Sequence, residues 1–224
     1  MKKLIFLLLI TVMFATPVYA YKYNEPHTFK NQIESAKQKT VAITATSFKD
    51  NWVRSGTGAF LSNGMILTAN HVTEGAEDIT VETYEGKRYN AEIVKEDAQH
   101  DLTLIRIAVP HDGFRIASSN LNRGDSIMTI GQPADLEEWS FSEGKVLEPE
   151  QPCRLNDHYF KMVYADNQVL PGNSGGPLIN SNGELVGIVR YMNPENSYSF
   201  SITLDDIKEF IMPISYLYLD VAYN

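Results

Sequence analysis

The stretch "LPGNSGGPLINSNGELVGIV", Leu170 to Val189, decides how this chain is read. Pro171, Gly172, Gly175 and Gly176 crowd around one hydroxyl, Ser174, and an apolar strand pattern follows. A serine hydroxyl is a weak nucleophile at neutral pH. It needs a neighbouring base to take its proton and donors to hold the oxyanion formed on an attacked carbonyl. A glycine just before the serine lets the backbone turn so that the N–H groups of Gly172 and Ser174 converge on one hole. Gly175 and Gly176 remove side chains that would block a neighbouring strand or a substrate backbone. The same residues also suit a plain Pro-Gly turn before a strand, so the base and its orienting acid must be sought elsewhere.

Working outward, the histidines are His27, His71, His100, His111 and His158. His71 lies in "MILTANHV", after an apolar strand and at the start of a short helical turn, where a base is held rigidly near a surface. His111 sits in a polar loop after Pro110, and His158 opens a strand beside Asn156 and Asp157. Any one of these taken alone reads as a surface or capping residue. "QHDLTLIRI" places Asp101 at the head of a strongly apolar strand. A carboxylate is costly to bury there without donors, and an imidazole N–H is one. Asp101 also fits a strand-end cap. Its rivals Asp97 and Asp112 sit in polar turns.

Between these sites the chain is a series of short apolar or alternating runs, among them "TVAITATS", "GTGAFL", "MILTA", "DITVETY", "YNAEIVKE", "DSIMTIG", "WSFSEGKVL", "YFKMVYA" and "SYSFSIT". Asn63-Gly64, Glu85-Gly86 and Asn182-Gly183 read as hairpin tips; in Asn-Gly both residues tolerate positive φ. About a dozen short strands at this spacing predict an all-β barrel or sandwich rather than βαβ units. Phe29, Ile33 and Ala36 predict one short amphipathic helix over 28–39. Leu204, Ile207, Phe210 and Ile211 predict another, with Asp205 and Asp206 favouring its first turn and Pro213 ending it. The tail 213–224, rich in Tyr and apolar residues, is expected to pack on the body.

The N-terminus, "MKKLIFLLLITVMFATPVYA", has the charged, apolar and small-residue regions of a secretory signal peptide cleaved after Ala20. Cleavage would leave 204 of the 224 residues, one all-β domain or two small subdomains around a cleft, with no stable membrane anchor. Losing Lys2 and Lys3 takes the formal charge from −9 to −11. Such a surface repels phosphate backbones and disfavours nucleic acid as a partner. One cysteine, Cys153, precludes a disulfide within the chain and reads as a small, partly buried residue. No metal motif appears, and no cofactor is expected.

Together, in the order His71, Asp101, Ser174, these signals resemble the trypsin-like (chymotrypsin-fold) serine peptidases, nearest the bacterial HtrA-like and glutamyl-endopeptidase-like branch. The matching stretches are "GTGAFLSNGMILTANHV" (56–72), "HDLTLIRI" (100–107), "GDSIMTIGQP" (124–133) and "PGNSGGPLINSNGELVGIV" (171–189). The resemblance implies a mainly β fold of two six-stranded antiparallel barrels with short terminal helices. The peptidase domain would span 40–212, after a helical segment at 21–39, with the subdomain boundary near 112–123. It implies His71 as general base, Asp101 as orienting acid and Ser174 as nucleophile. The oxyanion hole would lie in the loop Gly172, Asn173 and Ser174, its amides coming from Gly172 and Ser174.

Departures from the pattern refine these expectations. Val72 follows the histidine where digestive-type enzymes have a cysteine. Asn173 precedes the serine where they have an aspartate, so activation by a buried N-terminal ammonium is not expected. The chain ends twelve residues after Met212, and no PDZ domain is expected. By match, Gln168 lies near the base of the specificity pocket and Val189, Arg190 and Tyr191 along a wall. Gln168 lacks the charge that selects Lys or Arg, and Val189 stands where glutamate-specific relatives have histidine. A modest apolar pocket is therefore expected. Turned inward, Arg190 would accept an acidic residue, but a strand-edge arginine is more often solvated. The function expected is a secreted or periplasmic serine endopeptidase acting on protein or peptide substrates. The alternative is a catalytically weak or inactive protease-fold module that binds peptides.

Overall fold

The computed structural model describes residues 29–133, 138–155 and 158–218. The expected signal peptide and His27 lie outside the described residues. The chain is mainly β, in two halves, as expected.

In the first half, α1 (Ile33–Gln38) leads into β1 (Thr40–Ser47), β2 (Trp52–Phe60), β3 (Met65–Ala69), α2 (Asn70–Thr73), β4 (Asp78–Thr83), β5 (Arg88–Asn90), β6 (Glu92–Asp97) and β7 (Leu102–Arg106). The strands form one sheet in the order β5-β4-β1-β2-β3-β7-β6. Its two edges, β5 and β6, are consecutive pieces of the run "YNAEIVKE", parted only at Ala91, whose N–H donates to Ile79 O at 2.9 Å. Counted as one bent strand, they bring the half to the six runs expected of a barrel.

The second half holds β8 (Ser126–Gly131), β9 (Ser140–Leu155), β10 (His158–Gln168), β11 (Pro177–Asn180), β12 (Leu185–Met192), β13 (Tyr198–Ile202) and α3 (Leu204–Tyr218). Its strands form a closed barrel, β10-β13-β12-β11-β8-β9. β9 is far longer than "WSFSEGKVL" predicts, because it continues through Pro149 and Pro152 to pair with β10.

Strand alternation builds three cores. Val41, Ile43, Phe60, Ile66 and Ile105 cluster in the first half, and Ile127, Val146, Val163, Leu178 and Val186 in the second. The third cluster joins the halves: Leu67, Leu102 and Leu104 meet Met128, Ile130, Ile188 and Ile202. Neighbours such as Leu104 and Ile105, or Ile127 and Met128, thus serve opposite faces of one strand, both buried. Phe29 and Ala36 join the shared core, as do Ile207, Phe210 and Ile211, so both terminal helices seal the seam.

Two local expectations are corrected. Asn63 and Gly64 both take positive φ (56° and 73°), but at Asn182-Gly183 only Gly183 does (74°). And α3 runs on through Pro213 to Tyr218 rather than ending there. A proline removes one N–H from the helix ladder, and its neighbours here continue the helix. The start of α3 is capped by Thr203, whose Oγ1 accepts the Asp206 N–H (3.2 Å) and donates to Asp206 Oδ2 (2.7 Å).

Candidate active site

β3 ends at Ala69 and the chain turns at once into α2, a single helical turn that carries His71. Asp101, at the head of β7, fixes this turn from two sides. Its carbonyl accepts the Asn70 N–H at 3.0 Å, and its Oδ1 accepts the His71 N–H at 2.8 Å. The same carboxylate meets His71 Nδ1 at 2.9 Å (Oδ2) and 3.2 Å (Oδ1). A carboxylate only accepts, so this contact places a proton on Nδ1; in the neutral ring Nε2 then keeps its lone pair. Asp101 is buried and takes φ 59°, a left-handed conformation uncommon outside glycine and Asn or Asp. Arg54 Nη1 donates to His71 O (3.1 Å) and Glu74 O (3.0 Å), closing the open end of the turn.

The serine loop is pinned from the first half. Thr57 N–H donates to Ser174 O at 2.8 Å, and Thr57 Oγ1 donates to Gly172 O at 2.8 Å. Gly175 adopts φ 83°, and a Cβ there would stand 2.1 Å from Thr68 Oγ1 and 2.2 Å from Thr57 O. Only glycine fits this close approach. This explains "GTG" at 56–58: its threonine holds the Ser174 loop, which the motif alone does not reveal.

Within the loop, Asn173 N–H donates to Leu170 O (3.0 Å), Gly175 N–H to Val189 O (2.7 Å) and Gly176 N–H to Asn173 O (2.9 Å). The N–H groups of Gly172 and Ser174 bond to none of the described residues. The two amides expected at an oxyanion hole are thus left available. Asn173 is corrected: its N–H is spent inside the loop, and its buried side-chain amide donates to Ser140 Oγ at 3.0 Å. It anchors the loop to β9.

His71, Asp101 and Ser174 line one cleft of about 590 Å³, with Leu170, Val189, Arg190, Tyr191 and others. Ser174 Oγ donates to Arg190 O at 3.2 Å, and no hydrogen bond joins it to His71. Gln168 is exposed and does not line the cleft. The rival acid Asp97 pairs instead with His100 Nδ1 at 2.8 Å, outside the cleft. His111 stacks on Phe60.

Arg190 overturns the expectation of a solvated side chain. It is buried, with Nε 2.9 Å from Asp101 Oδ2 and its guanidinium 4.8 Å above the Phe160 ring. The pairing of β12 with β13 steps from Val189↔Ser201 to Tyr191↔Phe200, leaving Arg190 as an extra residue in a bulge. A bulge re-aims its side chain, and alternation alone could not foresee it. Tyr191 stacks on Phe200. Burial, and then the neighbouring Cys153, push its phenol well above the ordinary range, so it stays neutral. Cys153 is half-buried, as expected.

A model of the trypsin-like peptidase domain matches residues 56–188, more than half of the chain. The chain belongs to the trypsin-like peptidase family. This peptidase domain is 34% identical over 145 residues to a probable periplasmic serine protease do/HhoA-like of Haemophilus influenzae, covering 62% of this chain and 31% of that one. It is 30% identical over 194 residues to the serine protease Do-like HtrA of Bacillus subtilis, covering 79% and 43%. It therefore spans less than half the length of these curated relatives. Among solved structures it resembles a serine endoprotease from Yersinia pestis (TM-score 0.72, 25% identity, 87% of this chain and 69% of that one). It also resembles a protease of M. tuberculosis in its active form (TM-score 0.73, 20% identity, 81% and 82%) and, almost equally, in its inactive form (0.71). The last likeness shows the fold alone.

Proposed function

We propose that this peptidase domain is an exported serine endopeptidase that works through an acyl-enzyme. Ser174 Oγ turns from Arg190 O to His71 Nε2 and attacks the substrate carbonyl as His71 takes its proton. The Gly172 and Ser174 amides receive the oxyanion. His71 then gives the proton to the leaving amine, and a water, deprotonated by His71, releases the acyl group. Asp101 holds the imidazole in the required tautomer and stabilises the imidazolium. The observation that carries this reading is the three-point grip of Asp101 on His71, made beside Ser174 in one cleft. Export is supported by the N-terminal pattern and by the periplasmic naming of the Haemophilus relative. Among the described residues no helix is long and apolar enough to cross a membrane.

One observation favours the second reading, a peptide-binding module of weak or no turnover: Ser174 is bonded to Arg190 O and not to the base. Incubation of an unfolded protein such as casein with the wild-type chain and with Ser174→Ala separates the two. Fragments produced by the wild type alone support the endopeptidase, and binding without cleavage by either supports the module.

A further inference from the structure

Arg190 has more donors than the protein uses. A guanidinium carries five N–H groups. Its Nε edge faces Asp101, while Nη1 and Nη2 make no hydrogen bond to any described residue. Yet the side chain is only 9% exposed, packed on Phe160, and it lines the cleft beside Ser174. Neither Nη is among the fully buried polar atoms without a partner, so both keep contact with water, and an acceptor entering from the cleft can replace that water with a charge-assisted hydrogen bond. A carboxylate is the acceptor whose two oxygens match the paired Nη groups.

We propose that Arg190 is a specificity-determining residue that selects substrates carrying a carboxylate side chain within the three residues on the acyl side of the scissile bond. This rests on reading the cleft as a peptidase active site. The other charged residues lining the cleft are Asp101, whose carboxylate is already engaged by His71 and Arg190, and Glu74. Glu74 is exposed, so its pull on a basic side chain is screened by water and salt. Arg190 is desolvated, where a charge acts more strongly. The bulge that turns Arg190 inward also puts its carbonyl on Ser174 Oγ, so a ligand on this guanidinium lies within one residue's reach of the nucleophile. The preference is thus carried by Arg190 itself, although Val189 occupies the place of the histidine that glutamate-specific relatives use.

The test is a set of peptide substrates identical except for Glu or Gln at the first, second or third residue on the acyl side. They are assayed with the wild type, Arg190→Gln and Arg190→Lys. At one of the three positions the wild-type kcat/KM should favour Glu over Gln by about tenfold or more, the factor one charge-assisted hydrogen bond supplies. The ratio should fall to near one in Arg190→Gln and be intermediate in Arg190→Lys. It is taken within each variant, so a general loss of activity or stability does not move it. Cleavage with a wild-type ratio near one at every position, or a ratio that survives Arg190→Gln, overturns the proposal and leaves the peptidase reading intact. Should no peptide be cut, that reading falls instead. Binding of the Glu and Gln peptide amides to the Ser174→Ala chain then decides the proposal: tenfold tighter binding of Glu sustains it, and equal binding overturns it.

Discussion

Ser174 and Arg190 are joined by a hydrogen bond from the serine hydroxyl to the arginine carbonyl, 3.2 Å long. The same arginine sets its Nε 2.9 Å from Asp101, so one residue holds both the candidate nucleophile and the candidate acid. Releasing the hydroxyl to His71 costs roughly one net hydrogen bond, about 1 kcal/mol. That is a factor of about five in population, small beside the many orders of magnitude that a triad supplies. The resting bond therefore does not decide against catalysis.

Asp101→Asn should damage two things at once. An amide at the His71 position of contact presents the wrong partner to Nδ1, and kcat should fall about 10⁴-fold, as in the known trypsin case. It also leaves the buried Arg190 guanidinium without its carboxylate. Breaking a buried pair on one side costs about 3–5 kcal/mol. Urea unfolding beside a peptide assay checks both. An intact midpoint would mean that the Arg190–Asp101 pair contributes little.

Thr57→Val keeps the shape of a buried side chain and deletes its hydroxyl. It strips the Gly172 carbonyl of its donor and the Gln132 N–H of its acceptor. The expected loss is about 1–3 kcal/mol, with a fall in kcat larger than any rise in KM, because the Gly172 peptide is no longer held. Steady-state kinetics and denaturant unfolding test the two parts.

Two glycines separate conformation from crowding. Gly175→Ala combines φ 83° with backbone and side-chain atoms about 2 Å away, and it should cost more than about 2 kcal/mol and disable the serine loop. Gly86→Ala has φ 80° but nothing within 4 Å. It should cost only the left-handed penalty, about 1–2 kcal/mol. Thermal melts of both variants measure the difference.

Acid should unfold the chain in part through Asp97. Burial alone would raise its carboxyl. The His100 side chain and the N–H groups of His100 and Gln99 outweigh that and hold it below the ordinary value. A folded pKa below the unfolded one contributes stability that is present above about pH 4 and lost as pH falls through the folded value. Stability measured by urea unfolding from pH 6 to pH 3 should fall less steeply in Asp97→Asn than in the wild type. Equal slopes would mean that Asp97 contributes nothing to the acid sensitivity.

Much of this architecture was legible in the sequence, because strands buried on one or both faces leave period-two and apolar runs. "TVAITATS" and "MILTA" coincide with β1 and β3. His71 is legible after an apolar strand, Asp101 at the head of one, and Ser174 inside a proline- and glycine-rich turn that leads into another. What the sequence hid was set by tertiary context. β9 runs through two prolines because its partner β10 supplies the ladder. Arg190 looked solvated because alternation assumes an unbroken register, and a bulge breaks it. Gln168 matches a pocket position by sequence but does not line the cleft, since motif position fixes the backbone but not where a side chain ends.

Under the function proposed, Ser174 is a nucleophile made reactive by His71 and Asp101. The most direct measurement is labelling of the folded chain with a fluorophosphonate probe, followed by mass-spectrometric location of the adduct. One adduct is expected, on Ser174, formed much more slowly in His71→Ala and not at all in Ser174→Ala. A folded wild type that stays unlabelled, or that labels as fast without His71, would contradict it.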